Sequence, residues 1–203
     1  MTNLSNPIIE KSFAIIDEIV GQHSLTFSEY EIARRIIHTT ADFDYLNLLY
    51  CSPRAIALTL EFLKKGTPIV TDVSMIKEGI KTMVGRTFQN QIIVAVKQAP
   101  MAEEGKTRTE TGMLRCIQKY PEAIYIVGNA PTALLALCEQ VKQQKTKPPV
   151  IIGVPVGFVA VLEAKEALRQ LDIPQIQIQG NKGGSTVAAA ILNALLVMAY
   201  RQG

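Results

Sequence analysis

The side chains best suited to acid–base chemistry lie in one short stretch of the chain. It contains His38, one of only two histidines, and Arg35 three residues before it. In a helix this spacing places both side chains on one face. The fixed charge of Arg35 opposes protonation of the imidazole in the empty site, whereas an anion bound to Arg35 would make His38 a better acid. The stretch suits a general acid beside an anion-binding site; a solvated or hydrogen-bonded histidine is the alternative.

A helix must position these two side chains. Apolar residues at helical spacing predict a helix from about Glu29 to about Thr40. Ser28, with Glu31 three residues later, has the spacing of a capping box and predicts where this helix begins. A polar loop follows, so we expect His38 to lie at a rim of the protein rather than in its core.

The composition limits the classes of protein. With 203 residues the chain is most simply one domain, which we expect to combine an N-terminal helical segment over 1–66 with an alternating β/α core over 67–203. A formal charge of +3 is too small to favour nucleic acid as a partner. The apolar stretch 187–200 is too short to span a bilayer and contains Asn193, so a core or subunit-interface helix is the better interpretation.

The cysteines and the N-terminus indicate the compartment. Three widely spaced cysteines match neither a full disulfide framework nor a zinc site, and buried apolar residues in a reducing compartment are the simplest interpretation. The first residues lack a basic segment followed by an apolar run. We therefore expect a cytoplasmic protein, with no membrane association and no metal ligands in the chain.

Strands and helices alternate through the second part of the chain. Apolar runs predict five strands, at 68–72, 91–96, 123–129, 149–154 and 175–180. The middle strands are continuously apolar, as strands covered on both faces are. The pattern predicts an α/β fold: a doubly wound, mainly parallel five-stranded sheet with helices on both faces. Only the fifth strand alternates glutamine with isoleucine, so we expect it to be an edge.

The loops after these strands carry further candidates. Ligands of an open parallel sheet bind beyond the carboxyl ends of its strands. The binding candidates there are Asp72, Arg108, Asn129, Thr132, Lys182, Gly183, Gly184 and Ser185. Glycines, a lysine and a serine before the last helix would suit a carboxylate or phosphate at the helix N-terminus. A plain glycine-rich turn with Ser185 as the N-cap fits the same residues.

Several common sites are excluded. Lys182 is followed by Gly183 rather than by serine or threonine, so no P-loop is present, and prolines and valines in 153–157 exclude a dinucleotide fingerprint. The rim therefore suits a large polar ligand, with His38 as the evident proton donor near neutral pH. A flavodoxin-like module that binds a phosphorylated cofactor is the competing class. A purely structural dimerisation domain would not explain polar loops at all five strand ends.

Five motifs, in order along nearly the whole chain, resemble the precorrin-8X methylmutase family, which includes the cobalt-precorrin-8 methylmutases of corrin (vitamin B12) biosynthesis. The motifs are PIIEKSF at 7–13, RRIIHTTAD at 34–42, PIVTDV at 68–73, VGNAPTAL at 127–134 and GVPVGFV at 153–159. Two departures from the family pattern, Asn181-Lys182 in place of two arginines and Ser74 in place of asparagine, bear on substrate contacts and do not touch His38.

The resemblance implies a flavodoxin-like isomerase that moves a methyl group between adjacent carbons of pyrrole ring C. It would convert precorrin-8X to hydrogenobyrinate, or cobalt-precorrin-8 to cobyrinate. The family's catalytic histidine matches His38, and its binding serine and arginine match Ser12 and Arg35. Thr39 is a further candidate for contact with the tetrapyrrole. A homodimer without a separate cofactor is also implied, any cobalt belonging to the substrate; the apolar helix over 187–200 and the expected edge strand favour the same dimer.

Overall fold

The computed structural model describes residues 6–202, which begin with helices and one short strand. These elements are α1 (Pro7–Val20), α2 (Phe27–Thr40), the single turn α3 (Tyr45–Leu48), β1 (Leu49–Cys51) and α4 (Ala55–Lys64). The alternating part follows: β2 (Ile69–Thr71), α5 (Ser74–Arg86), β3 (Ile92–Val94), a 3₁₀ helix (Ala95–Gln98), α6 (Arg108–Lys119), β4 (Ile124–Val127), α7 (Pro131–Lys142), β5 (Ile151–Gly153), α8 (Val161–Arg169), β6 (Gln175–Ile178) and α9 (Ser185–Arg201).

One mixed sheet organises the molecule. Its strand order is β1-β6-β5-β4-β2-β3, and every pair is parallel except β1 with β6. The five parallel strands, taken alone, have the order of a flavodoxin-like doubly wound fold. One apolar core lies between the sheet and α2, α4, α5 and α9, and a second lies on the other face with α6, α7 and α8. The predicted α/β fold is confirmed.

Two features of the sheet differ from the prediction. The structure has six strands rather than five, because Leu49–Cys51 pairs antiparallel with β6. A three-residue strand is too short to show a period of two, so no signal in the sequence marks it. Because β1 covers β6, the fifth predicted strand is not an edge. Gln175 and Gln177 are buried there, and the Gln175 amide donates to the Leu168 carbonyl at 2.9 Å.

The helix that carries His38 begins two residues earlier than predicted. Thr26 is its N-cap, and the Thr26 and Glu29 side chains form the reciprocal bonds of a capping box. The sequence contains two pairs with the spacing of a capping box, Thr26 with Glu29 and Ser28 with Glu31. The second acid, Glu31, pairs instead with Arg34 on the next turn. The predicted C-terminal end at Thr40 is confirmed.

The last helix is buried by its own chain. Residues 187–199 are buried except for the half-buried Asn193, and α2, α4 and α5 pack against the helix opposite the sheet. Its apolar composition therefore reflects a core position. The argument that this composition requires a partner subunit was wrong, because the covering layer comes from the N-terminal helices and α5.

A glycine at the contact between α6 and the 3₁₀ helix yields a stability prediction. A Cβ atom on Gly112 would lie 1.9 Å from the Ala95 carbonyl oxygen. Gly112→Ala should therefore lower the free energy of unfolding by about 2 kcal/mol or more, as overpacking does. Gly85→Ala is the control, because its Cβ would meet no atom within 4 Å. It should stabilise the helix by up to about 1 kcal/mol. Urea unfolding measures both, and equal effects would contradict the close packing.

Candidate active site

Helix α1 places a hydroxyl on the candidate histidine. The Ser12 Oγ atom lies 2.7 Å from His38 Nδ1, and the Phe13 ring meets the imidazole edge-on with ring centroids 5.5 Å apart. The other ring nitrogen, Nε2, is left for a ligand. If the hydroxyl donates to Nδ1, the neutral imidazole carries its proton on Nε2. The structure thus brings together two of the predicted site residues that are far apart in sequence.

The first arginine of the motif holds α1 in place. The Arg34 guanidinium lies 4.5 Å above the centroid of the Phe13 ring, and its Nη1 atom donates to Asp17 at 2.8 Å. Arg34 also pairs with Glu31 on its own helix. The Tyr30 hydroxyl donates to the same Asp17 carboxylate at 2.6 Å. These contacts dock α1 on α2 and so fix the position of Ser12.

The environment of His38 keeps its imidazole neutral. Partial burial lowers the pKa of His38 below its ordinary value, and the positive charge of Arg35 lowers it further. The electrostatic effect of Arg35 is the one that the helical spacing predicted. A ligand whose negative charge offsets Arg35 would remove that effect and raise the pKa of His38.

Arg35 faces a small cleft between α2, α5 and α9. The cleft has a volume of about 280 Å³ and is lined by Arg35, Thr39, Met75, Gly79, Ser185, Thr186, Ala189, Ala190 and Asn193. Burial lowers the pKa of Arg35, and among residues 6–202 no carboxylate forms an ion pair with its guanidinium. The Asn193 Oδ1 atom is buried without a described hydrogen-bond partner. A cation, three hydroxyl side chains and an uncapped helix start suit a carboxylate.

The glycines before α9 are required by its close approach to β5. Gly183 has φ +146°, and a Cβ there would lie 2.3 Å from the Val154 carbonyl oxygen. Gly184 is the N-cap, and its N–H donates to that same carbonyl at 2.8 Å. Ser185 is the first residue of the helix and does not cap it. The interpretation of a turn capped by Ser185 is therefore wrong, and the first amides of α9 have no side-chain cap.

Lys182 has a different environment from the one expected. Its ammonium lies 2.5 Å from an Asp42 oxygen and 2.6 Å from an Asp44 oxygen. These bonds raise the pKa of Lys182. The side chain ties the loop before α9 to the loop after α2. Contact with a substrate carboxylate, which the sequence predicted for Lys182, does not fit this arrangement because two carboxylates already occupy the ammonium.

The carboxylate oxygens of Asp72 are also hydrogen-bonded within the protein. Its side chain is buried, and its two oxygens accept four backbone N–H groups, at 3.0 Å from Val73, 3.2 Å from Gly128, 2.7 Å from Asn129 and 2.8 Å from Ala130. Burial raises the pKa of Asp72, and the amide bonds oppose that rise. The structure gives Asp72 the role of holding the loop after β4, in place of the ligand contact expected. Asn129 is left exposed on that loop.

Two further candidates lie on the neighbouring part of the rim. Thr132 contacts Thr107, with 2.9 Å between the hydroxyl oxygens. Thr107 is the N-cap of α6, which begins at the exposed Arg108. Arg108 and Thr132 are thus neighbours. Within residues 6–202, no hydrogen bond joins this pair to Ser12 and His38.

Sequence reasoning missed side chains that support the rim from within. The link from Arg34 to Asp17 joins two helices and has no local signature. Lys165 occupies a position in the apolar stripe of α8, and a lysine at such a position is the signal that could have shown it. Across residues 6–202, no cluster of three or more His, Cys, Asp or Glu side chains could hold a metal ion. In the same part of the chain, no helix has the length and apolar character needed to cross a membrane.

The sequence and fold match those of a known protein family. The family model for precorrin-8X methylmutase matches residues 7–198. The cobalt-precorrin-8 methylmutase of Synechocystis sp. is 54% identical and is aligned over 100% of both chains, and the Leptospira interrogans protein of the same name is 42% identical over 100% of this chain and 98% of its own. The precorrin-8X methylmutase of Sinorhizobium sp. is 32% identical over 94% and 93%. The crystal structure of precorrin-8x methyl mutase from Thermus thermophilus superimposes with a TM-score of 0.88 at 38% identity, covering 98% of this chain and 100% of that one.

The α/β fold described above is that of an isomerase of the methylmutase class. Full-length identity to named methylmutases of cobalamin biosynthesis establishes that class. The chain belongs to the precorrin-8X methylmutase family. The family resemblance and the enzyme class predicted from the five sequence motifs are confirmed.

The electrostatic coupling in the site can be measured in the free enzyme. The His38 pKa should lie below that of an ordinary histidine, because burial and Arg35 both disfavour the imidazolium. Arg35→Gln should raise the His38 pKa but leave it below that of an ordinary histidine, since burial is the larger cause of the lowering. Arg108→Gln is the control and should leave it unchanged. Titration of the imidazole resonances by NMR gives all three values. An Arg35→Gln value equal to wild type would show that the two side chains are uncoupled.

Proposed function

We propose that this chain moves a methyl group between adjacent ring C carbons of a corrin precursor, with cobalt-precorrin-8 as the natural substrate and cobyrinate as the product. The more similar relatives, those of Synechocystis and Leptospira, carry the cobalt name. The metal-free reaction, from precorrin-8X to hydrogenobyrinate, is the alternative. Turnover of cobalt-loaded and metal-free substrate by the purified protein decides between them. Faster turnover of the metal-free form would contradict the proposal.

The Arg35 cleft supports binding of a macrocycle bearing carboxylates. Its guanidinium is a planar donor without a carboxylate partner in the described chain, and the first amides of α9 add the positive end of the helix dipole. Thr39 and Thr186 supply hydroxyl groups beside them. A volume of about 280 Å³ accommodates one acidic side chain of the substrate rather than the ring system. The macrocycle would then lie across the rim, where Asn129, Thr132 and Arg108 are available to its other carboxylates.

His38 would act as the general acid from its Nε2 atom. In the imidazolium form that acts as the acid, Nδ1–H would donate to the Ser12 hydroxyl, and Nε2–H would be left to face the substrate. Proton transfer to a nitrogen of the macrocycle polarises the conjugated system, and the methyl group migrates within the molecule. Since the reaction is an isomerisation, the proton returns to His38. A positioned acid contributes on the order of a hundred- to ten-thousand-fold. A carboxylate bound at Arg35 favours the step, because it offsets the charge that lowers the pKa of His38.

Substitution of the acid and of its supporting hydroxyl tests this role. His38→Ala should reduce the single-turnover rate by at least about a hundredfold and leave tetrapyrrole binding largely intact. Ser12→Ala should reduce the rate less, because it removes the group that orients the imidazole and not the acid. The exposed His23, which stacks on Tyr30 away from the site, is the control, and His23→Ala should react as wild type does. An undiminished single-turnover rate for His38→Ala would rule out the acid role.

We also propose a homodimer, supported by an exposed apolar segment after β5. Phe158 is 91% and Val159 is 85% exposed, and the nearby Val156 and Leu162 are also exposed. Sedimentation should show a dimer at micromolar protein, and Phe158→Ser should shift it toward monomer because the segment loses apolar contact area. Phe27→Ser is the matched control, since Phe27 is similarly exposed at the start of α2. A wild-type monomer would contradict the proposal.

Two expectations from the sequence stay predictions. The enzyme should need no separate cofactor, because the rearrangement neither oxidises nor reduces the substrate and an acid suffices to polarise it. It should also work in the cytoplasm, where its three free cysteines stay reduced. Turnover by protein dialysed against chelator, and fractionation of source cells, are the respective measurements.

A further inference from the structure

A buried lysine on α8 has no role in the site described so far. Lys165 lies among Val161, Ala164 and Leu168 on the face of α8 that packs against the sheet, and it is only 5% exposed. Lysine is rarely buried without a partner, because removing its charge from water is costly. An apolar residue would suit this position better if packing were its only purpose.

The ammonium of Lys165 is held by backbone carbonyls. It donates to the Gly180 carbonyl oxygen at 2.5 Å and to the Lys182 carbonyl oxygen at 2.7 Å. No carboxylate of residues 6–202 forms an ion pair with it, and burial alone lowers its pKa to about 8. The contacts that offset the cost of burying this charge are therefore directed at the loop before α9.

Other bonds fix the same loop in the same orientation. The N–H of Gly157 donates to the Asn181 carbonyl at 3.2 Å. Three consecutive carbonyls, those of residues 180–182, thus accept bonds from α8 or from the segment before it. The loop then returns to β5 through the Gly184 N–H. The uncapped amides of 185–187 follow at the Arg35 cleft.

We propose that Lys165 is a positioning residue for substrate binding: by holding the carbonyls of Gly180 and Lys182, it keeps the start of α9 aligned with Arg35 for a substrate carboxylate. This inference rests on the proposed function for the identity of the substrate. Lys165 itself does not touch the reacting atoms. Its loss displaces one side of the cleft and leaves the Ser12–His38 pair in place.

The experiment replaces Lys165 by methionine, which keeps the length and apolar stem and removes the donor. Lys165→Met should raise KM for cobalt-precorrin-8 by roughly tenfold or more, because a shift of about 1 Å at a binding group has effects up to about a hundredfold. The single-turnover rate at saturating substrate should change less than about threefold. Hydrogen exchange, followed by mass spectrometry, should accelerate in 180–187 and remain unchanged in α2.

A matched control and a second variant complete the test. Lys142→Met removes an exposed lysine at the end of α7 and should leave KM and exchange unchanged. Lys165→Arg keeps a cation and its donors, so its KM should lie between those of wild type and Lys165→Met. If Lys165 only filled space, the KM of Lys165→Met would instead be the closer to wild type. Lys165→Leu, which also removes the donor and suits the apolar face of α8, replaces the methionine variant in the exchange measurement if that variant does not fold. Equal KM values for wild type and Lys165→Met, or faster exchange throughout α2 and α8, would overturn the proposal.

Failure of the proposed function gives a different result. A wild-type protein that turned over neither substrate would refute the methylmutase proposal. Exchange in 180–187 would still decide whether Lys165 holds the loop, because that measurement needs no substrate.

Discussion

The apolar contact between α2 and α9 is the constraint on which the site depends. Ile32, Ala33 and Ile36 of α2 share one core with residues 187–199 of α9. Burial of each large aliphatic side chain contributes about 1.5–3 kcal/mol, whereas a hydrogen bond such as that between Ser12 and His38 contributes about 1 kcal/mol. The crossing of the two helices is therefore set by packing. The polar faces of the helices, with Arg35 on one and Ser185 on the other, then meet at the cleft as a consequence.

The described charges closest in sequence to His38 are paired so that Arg35 is left without an ion pair. Arg34 is paired with Asp17 and Glu31, and Lys182 is paired with two aspartates. Arg35, adjacent to Arg34 in sequence, has no such pair among the described residues. The low net charge of the chain gives no long-range field that would gather a polyanion. Recognition of the substrate would accordingly depend on a defined carboxylate subsite beside His38 rather than on a broadly basic surface.

The sequence predicted the elements that have strong local signals and missed those that depend on distant partners. The helix expected over 187–200 and the C-terminal end of α2 agree with the structure, because apolar periodicity and the flanking glycines or polar residues are local. Strand β1 was missed since its three residues are defined by pairing with β6. Gln175 and Gln177 look solvent-facing in the sequence, but the Gln175 amide bonds to carbonyls at the C-terminal end of α8 and just after it, a contact that has no local signal. The family motifs named Ser12, Arg35 and His38, yet the contact of Ser12 with Nδ1 depends on how α1 docks.

Two buried side chains of opposite charge orient the two rim loops in opposite senses. Asp72 accepts the N–H groups of residues 128–130, so that loop turns its amides inward. Lys165 binds the carbonyls of Gly180 and Lys182, so this second loop turns its carbonyls inward. The loop after β4 therefore has few amides left for an anion, while the start of α9 keeps its first-turn amides free. An anion bound at this rim is consequently directed toward α9 and Arg35, which is the side of the sheet where His38 lies.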